Sequence, residues 1–254
     1  MYTERRERIR ELLEQQPFVS LDALCGMFPQ VSSMTLRRDI EFFEQQGEAI
    51  KVRGGARSMK FITASMEDAF SSRVRTNVGA KEKIAVAAAE MIGQSRSVFI
   101  DSGTTALHLA AALPDERLSV TTTGPNVALE LSRNDHTIVN LVGGMLNRDS
   151  LSVSGTQALK YLEDVNIDTA FIVPSGVSAE SGMTCGNYME CELKSTVIGK
   201  ARQTIVLMDH SKLGKTLPYT FCRVKDVQVI ISDFPLPPEL EAEAKKNGTK
   251  LILA

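Results

Sequence analysis

Apolar residues near the start of the chain recur at helical spacing. Ile9, Leu12 and Leu13 lie three and four residues apart amid charge between Glu4 and Gln16, and Pro17 stops the run, so a first helix is predicted there. Ser20 is placed to cap a second, short helix whose Leu21, Leu24, Cys25 and Phe28 share one side, and Pro29 closes it. Past a tight Gln30-Val31 connection, Ser32 caps a third helix with Leu36, Ile40 and Phe43 at i, i+4 and i+7, ended by Gly47. Three short helices with a tight second connection follow the helix-turn-helix plan. Turning about 100° per residue from Leu36 sets Met34, Arg38 and Glu41 opposite the apolar stripe and Arg37 on its flank. After Gly47, Ala49-Ile50-Lys51-Val52-Arg53 alternates apolar and basic residues before Gly54-Gly55, which predicts a small β-ribbon, a wing, with its cations outward.

Residues 1–57 are therefore expected to form one small domain. Residues 58–78 hold no sustained period and read as a linker, with Arg73 and Arg75 either solvating it, the default reading, or lining a site. From residue 79 to 254 the pattern changes to short Val/Ile runs alternating with amphipathic helices. Helices are expected over Lys81–Ile92, Thr105–Leu113, Pro125–Arg133, Thr156–Leu162 and Met189–Ala201. Strands are expected over Ser97–Ile100, Leu118–Thr122, Thr137–Val142, Ala170–Val173, Thr204–Met208, Val227–Ile231 and Lys250–Leu253. Such alternation predicts a mostly parallel sheet with helices on its faces, an α/β fold.

Composition changes this picture little. With 43% hydrophobic and 24% charged residues in 254, there is apolar material for a full core, which excludes a disordered chain or a disulfide scaffold. Net charge is −2, and residues 1–60 carry ten Lys+Arg against nine Asp+Glu, so charge alone does not point to nucleic acid. Eight of those ten cations are arginine, however, the side chain best shaped for forked contacts to phosphate and guanine. No apolar run is long enough to cross a bilayer, and the charged start is unlike a signal peptide, so a cytoplasmic protein is expected. Cys25, Cys185, Cys191 and Cys222 include no Cys-x-x-Cys pair, and three separated histidines show no ligand spacing; neither a metal nor a cofactor is expected.

In open α/β sheets the chemistry lies beyond the carboxyl ends of the strands. There the chain reads Asp101-Ser102-Gly103-Thr104-Thr105 leading into a helix: a glycine for close approach, three hydroxyls, and the positive end of a helix dipole. That combination exceeds what a helix cap alone uses and resembles a phosphate cradle. The next strand ends in Thr121-Thr122-Thr123-Gly124-Pro125-Asn126, equally rich in hydroxyls. Further strand ends offer Gly143-Gly144, Ser175-Gly176 and Asp209-His210-Ser211-Lys212, where Lys212 suits a phosphate and Asp209 suits sugar hydroxyls. Glu190 and Lys194, at i and i+4, read first as a surface ion pair. Asp209, His210 and Ser211 are sequence neighbours and cannot form a hydrolase relay.

Together these residues resemble the DeoR family of bacterial transcription regulators. The likeness rests on Val31-Ser32-Ser33-Met34-Thr35-Leu36-Arg37-Arg38-Asp39, on Arg53-Gly54-Gly55-Ala56, Lys81-Glu82-Lys83-Ile84 and Asp101-Ser102-Gly103-Thr104-Thr105, and on Gly143-Gly144, Gly182-Met183-Thr184 and Asp209-His210-Ser211-Lys212. It implies a winged helix-turn-helix joined to an effector domain similar to ribose-5-phosphate isomerase and CoA-transferase folds. Ser32, Ser33, Met34, Thr35, Arg37 and Arg38 would meet the major groove of operator DNA, and Lys51 and Arg53 its backbone. Asp101, Gly103, Thr104 and Thr105, with Ser102, would hold the phosphate of a phosphorylated sugar, and Thr122, Gly144, Asp209 and Lys212, with Ser175 and Glu190, would surround the sugar. Where many members read Gly-Ala-Asp-Gly, this chain has Val173-Pro174-Ser175-Gly176, and the lost carboxylate favours sensing over catalysis. The expected function is a repressor of a sugar or nucleoside catabolism operon, acting as a homodimer or tetramer with no membrane partner. Two alternatives stand beside it: a sugar-phosphate isomerase or transferase with an accessory DNA-binding domain, whose only available carboxylates would be Asp209 and Glu190, and an interaction module whose helical trio serves dimerisation alone.

Overall fold

A computed structural model describes residues 2–16, 18–52, 54–58 and 70–254. Arg53 of the expected wing, Pro17 and residues 59–69 of the expected linker lie outside the described residues. The chain divides into two compact units, residues 1–66 and 67–254.

In the smaller unit the local signals act as expected. The Oγ of Ser20 accepts from the N–H of Ala23 at 3.0 Å and starts α2 (Leu21–Met27), and the Oγ of Ser32 accepts from the N–H of Thr35 at 3.3 Å and starts α3 (Ser33–Gln45). With α1 (Tyr2–Gln15) they enclose Ile9, Leu13, Leu24, Leu36, Ile40 and Phe43, all buried. The ribbon is present as β2 (Ala49–Val52) and β3 (Gly55–Ser58). A third strand that periodicity did not predict, β1 (Phe18–Ser20), pairs antiparallel with β3 and sets Val19 against Ala56. Three residues are too few to show an alternation; their pairing partner defines them.

Several N-terminal arginines brace this unit from within. Asp39 is 1% exposed on α3 and accepts from the Nε atoms of Arg5 (2.6 Å) and Arg6 (2.9 Å). Arg6 also lies 3.7 Å over the ring of Phe42, and Arg10 forks onto Glu48 at 2.7 and 3.0 Å. The arginine excess therefore has a structural share that composition could not separate from binding.

The larger unit is built on seven parallel strands: β4 (Ser97–Ile100), β5 (Ser119–Thr122), β6 (Ile138–Leu141), β9 (Thr169–Ile172), β12 (Gln203–Met208), β14 (Val229–Ser232) and β15 (Lys250–Leu253). Their order is β15-β14-β12-β9-β4-β5-β6. Alternate residues face opposite layers. Val98, Ile100, Ile205, Leu207, Val229 and Ile231 pack with α5 (Val78–Ala89), α6 (Thr104–Ala112) and α7 (Pro125–Leu131). Phe99, Ala170, Ile172, Val206, Met208 and Ile230 pack with α8 (Thr156–Glu163), α9 (Tyr188–Lys200) and α10 (Pro238–Asn247). Burial on both faces is why the inner strands β4, β9, β12 and β14 read as apolar runs, while the edge strands β6 and β15 stay partly exposed.

Beside this sheet lie an antiparallel trio, β10 (Gly176–Ser178), β11 (Gly182–Cys185) and β13 (Tyr219–Cys222), and a hairpin of β7 (Met145–Asn147) and β8 (Ser152–Ser154). Neither was expected from the pattern, and nor was α10, which buries little beyond Leu240 and Ala244. The linker reading of residues 70–78 is corrected. Phe70–Arg73 forms a short helix, α4, Phe70 donates its N–H to the carbonyl of Asp149 at 2.9 Å, and Arg73 is 8% exposed. A four-residue helix shows no period, so its membership in the larger unit is visible only in three dimensions.

Candidate functional site

Two surfaces carry the residues singled out by the sequence. On α3, Leu36, Ile40 and Phe43 turn inward, which presents Met34, Arg37 and Arg38 outward; all three are exposed, Met34 by 62%. Ser33 is exposed beside them. Ser32 and Thr35 are engaged in the cap, their hydroxyls 2.9 Å apart. Lys51 was expected to face outward from the wing. It is exposed, but its Nζ lies 2.5 Å from Oε1 of Glu41 and its N–H donates to Glu44 at 2.9 Å, which ties β2 to α3. That bond holds the carboxyl of Glu41 below the ordinary range.

In the larger unit the chain runs from β4 to β5 and β6 on one side and continues through β9, β12 and β14 on the other, so the order reverses between β4 and β9. A crevice opens at the carboxyl ends of strands at such a reversal. Here it is a small cleft lined by Arg73, Ser102, Gly103, Ser150, Val173, Ser175, Glu190 and Lys194. Gly103 starts α6 at φ +104, and no side chain caps that helix. The reading of this turn as an ordinary N-cap is thus not realised, and the first N–H groups of α6 lack a capping side chain. A Cβ on Gly103 would stand 3.9 Å from Nη1 of Arg73, whose Nη2 donates to the carbonyl of Asp149 at 3.2 Å.

Asp101 does not face the cleft as a ligand group. It is 1% exposed; Oδ1 accepts from the N–H of Ser102 at 2.8 Å, and Oδ2 accepts from the N–H of Val173 at 2.9 Å and from Nζ of Lys194. Lys194 also donates to the carbonyl of Val173 at 2.9 Å. Its role is to join the ends of β4 and β9. Burial works against the ammonium of Lys194, but the carboxylates of Asp101 and Glu190 outweigh it and hold its pKa above the usual lysine value. The surface-pair reading of Glu190 and Lys194 is corrected: they are 5% and 4% exposed. Glu190 accepts from Ser150 at 2.5 Å and from Ser152, two residues held side by side by the turn at Leu151, φ +49.

A second cluster begins at the end of β12. Asp209, 1% exposed, accepts through Oδ1 from Nδ2 of Asn77 (3.0 Å) and the N–H of Ser211 (2.9 Å), while its Oδ2 is buried with no hydrogen-bond partner among the described residues. Burial alone would raise its pKa, but the Ser211 hydrogen bonds, Lys212 and Asn77 prevail and lower it. Lys81 is 2% exposed and donates to the carbonyls of Arg73 (2.5 Å) and Thr76 (2.6 Å). Burial lowers its pKa, Asp209 opposing and Lys212 and Arg73 reinforcing the fall. Arg73 thereby contacts both clusters, its guanidinium in one and its carbonyl in the other. Among the described residues, Asn77 (φ +53) and Leu151 are the two non-glycine positions with positive φ, and both lie here, where strain commonly marks a functional site.

The side chains of other expected residues do not line the cleft. Thr104 and Thr105 are buried as the first residues of α6. Thr122, fully buried, accepts from the N–H of Gly124 at 3.1 Å and reaches the carbonyl of Asp101 at 3.5 Å, bracing the loop. Gly144 has a packing role, since a Cβ there would meet the carbonyl oxygen of Ser154 at 2.6 Å. Sequence reading misses Ser150 and Asn77, takes Arg73 for linker solvation by default, quotes Lys81 only within the Lys81-Glu82-Lys83-Ile84 motif, and takes Lys194 only for a surface partner of Glu190.

His210, half exposed, donates Nδ1–H and its backbone N–H to the two oxygens of Asp233, each at 2.7 Å. The Asp233 hydrogen bond raises its pKa above 6.5. A raised folded-state value means that this pair contributes stability below the unfolded value and loses it as pH rises through the folded one. NMR titration is expected to show a His210 midpoint above that of an unpaired histidine, moving down in Asp233→Asn; an unchanged midpoint would refute the pair.

Family comparison adds to this geometry. The description "DeoR-like helix-turn-helix domain" matches residues 5–61, and "DeoR C terminal sensor domain" matches residues 76–234. The HTH-type transcriptional repressor GlcR of Bacillus subtilis is 31% identical over 255 residues, covering 100% of this chain and 97% of that one. The HTH-type transcriptional regulator GolR of Listeria innocua is 30% identical over 252 residues, covering 99% and 98%. Among solved structures, ribose 5 phosphate isomerase A from Neisseria gonorrhoeae superposes with a TM-score of 0.39 at 17% identity over 54% of each chain.

Proposed function

Because the chain belongs to the DeoR family of transcriptional regulators, and so is a DNA-binding regulator with a sensor domain, we propose that it represses a sugar or nucleoside catabolism operon and that a phosphorylated sugar in the cleft controls its hold on operator DNA. One observation carries this reading. The uncapped start of α6 lies beside the buried cations Arg73 and Lys194, and the cluster that Arg73 joins to it holds a buried carboxylate oxygen without a partner, Oδ2 of Asp209. Donors and positive charge suit a phosphoryl group. A buried acceptor suits a hydroxyl, because an unpaired carboxylate oxygen away from water is unfavourable until something donates to it.

In this reading the N–H groups of Gly103, Thr104 and Thr105, the hydroxyl of Ser102 and the Arg73 guanidinium take the phosphate. Asp209 and Glu190 accept from sugar hydroxyls, with Ser175 and Lys212 at the margins. Asp101 positions Lys194 rather than touching the ligand. On the DNA side Met34, Thr35, Arg37 and Arg38 read base edges, with Ser32 and Ser33 at the helix start and Lys51 and Arg53 on the backbone. One small reading head gives limited specificity, so the working form is a homodimer or tetramer reading two half-sites.

Binding must be coupled in both directions. In fluorescence anisotropy on DNA from upstream of its own operon, at fixed salt, one member of a panel of sugar phosphates is expected to change the DNA affinity by about 5- to 150-fold and to be recovered unchanged. Indifference to the whole panel, or turnover of any member, would overturn the reading.

A further inference from the structure

Asn126 is the second residue of α7, on the loop that follows β5, the strand next to β4. The residue is partly exposed, yet both polar atoms of its amide, Nδ2 and Oδ1, are buried and have no hydrogen-bond partner among the described residues. An amide in that state is unfavourable, and an apolar side chain of similar shape would be tolerated at least as well. Packing gives no reason for an asparagine here.

Its neighbours supply one. A Cβ placed on Gly124 would stand 3.2 Å from Cα of Ser102 and 3.3 Å from Oδ1 of Asn126, so the amide and Ser102 flank the same point. Ser102 and Gly103 line the cleft at the start of α6. The neighbouring hydroxyl of Thr122 is already engaged with Gly124 and Asp101, whereas the Asn126 amide is unsatisfied among the described residues.

We propose that Asn126 is a specificity-determining residue of the effector site, its amide flipping about χ2 so that Nδ2–H replaces Oδ1 on the Ser102 side and donates to a phosphoryl oxygen seated on Ser102 and Gly103. This rests on the phosphorylated-sugar reading above. The amide must act as donor, because a phosphate dianion offers only acceptors. It rewards a ligand whose anionic end reaches the β5 side of the loop and gives nothing to a neutral sugar held at Asp209.

The test compares the full-length protein with Asn126→Leu and Asn126→Asp. Thermal melts are recorded alone and with inorganic phosphate and a panel of pentose, hexose and triose monophosphates, and calorimetric titration follows for any compound that shifts the melt. Asn126→Leu is expected to melt at or above the wild-type temperature while its affinity for the responding compound falls about tenfold or more. Asn126→Asp loses more, because it sets a negative charge beside the phosphoryl group. A Leu variant that melts well below wild type would show that the amide is satisfied in the folded protein, and one that keeps wild-type affinity would show that it does not meet the ligand. Either result overturns the assignment while the effector reading stands. A wild-type protein that responds to no compound overturns both.

Discussion

Replacing Lys194 with methionine is expected to destabilise the larger unit by about 3–5 kcal/mol, because removing one partner of a buried ion pair leaves the other charge uncompensated. Asp101 would remain buried, with the N–H groups of Ser102 and Val173 as its remaining donors among the described residues. The carbonyl of Val173 would lose its donor as well. If this account is right, adding Asp101→Asn restores part of the loss, since the neutral amide needs no counter-charge although its Nδ2 cannot accept from one of the two backbone N–H groups; a strictly additive double variant would refute the pairing. The pH dependence has a definite sign. A lysine whose folded pKa lies above 10.5 contributes stability that is fully present below that value and disappears only as pH rises through the folded one. Urea unfolding of wild type and variants at neutral and alkaline pH measures both effects.

The second large effect falls on DNA. Arg37→Ala and Arg38→Ala are each expected to cost about 1–3 kcal/mol of operator affinity where the arginine forks onto a base, roughly a fivefold to 150-fold loss apiece. Both side chains are exposed on α3, so the melting temperature of the smaller unit should hardly move. Anisotropy titrations across a salt series separate two modes. A base contact loses discrimination between operator and random sequence, whereas a phosphate contact weakens both alike and flattens the salt slope. Undiminished binding by the double variant would remove α3 as the reading helix and leave the helical trio a dimerisation element. The adjacent Asp39 marks the contrast. It lies on the same helix but is buried between Arg5 and Arg6, so its substitution would act through folding.

Local chemistry was enough to read much of this chain. Ser20 and Ser32 as caps, Pro29 and Gly47 as stops, and the i, i+4, i+7 stripe of Leu36, Ile40 and Phe43 determine the helix-turn-helix, because each signal acts within one or two turns of backbone. The Val/Ile runs determine the parallel strands, the inner ones buried on both faces, and the Asp101–Thr105 sequence marks the loop where the cleft opens. Other features depend on distant partners. Strand β1 exists because Val19 meets Ala56, and the β7–β8 hairpin brings Ser150 and Ser152 onto Glu190. Arg73 and Lys194 look like solvated surface charges in the sequence, and only the fold places them in one cleft with Gly103. It is likewise the fold that converts Asp101 from a supposed phosphate ligand into the anchor of Lys194. Residues 73, 102, 150, 175, 190 and 194 are joined by the reversal of strand order at β4 and β9, and periodicity carries no information about which strands become neighbours across such separations. Sequence settles what each segment is, because helix and strand preferences are local; the composition and charge of the site are decided by tertiary packing, which alone brings those segments together.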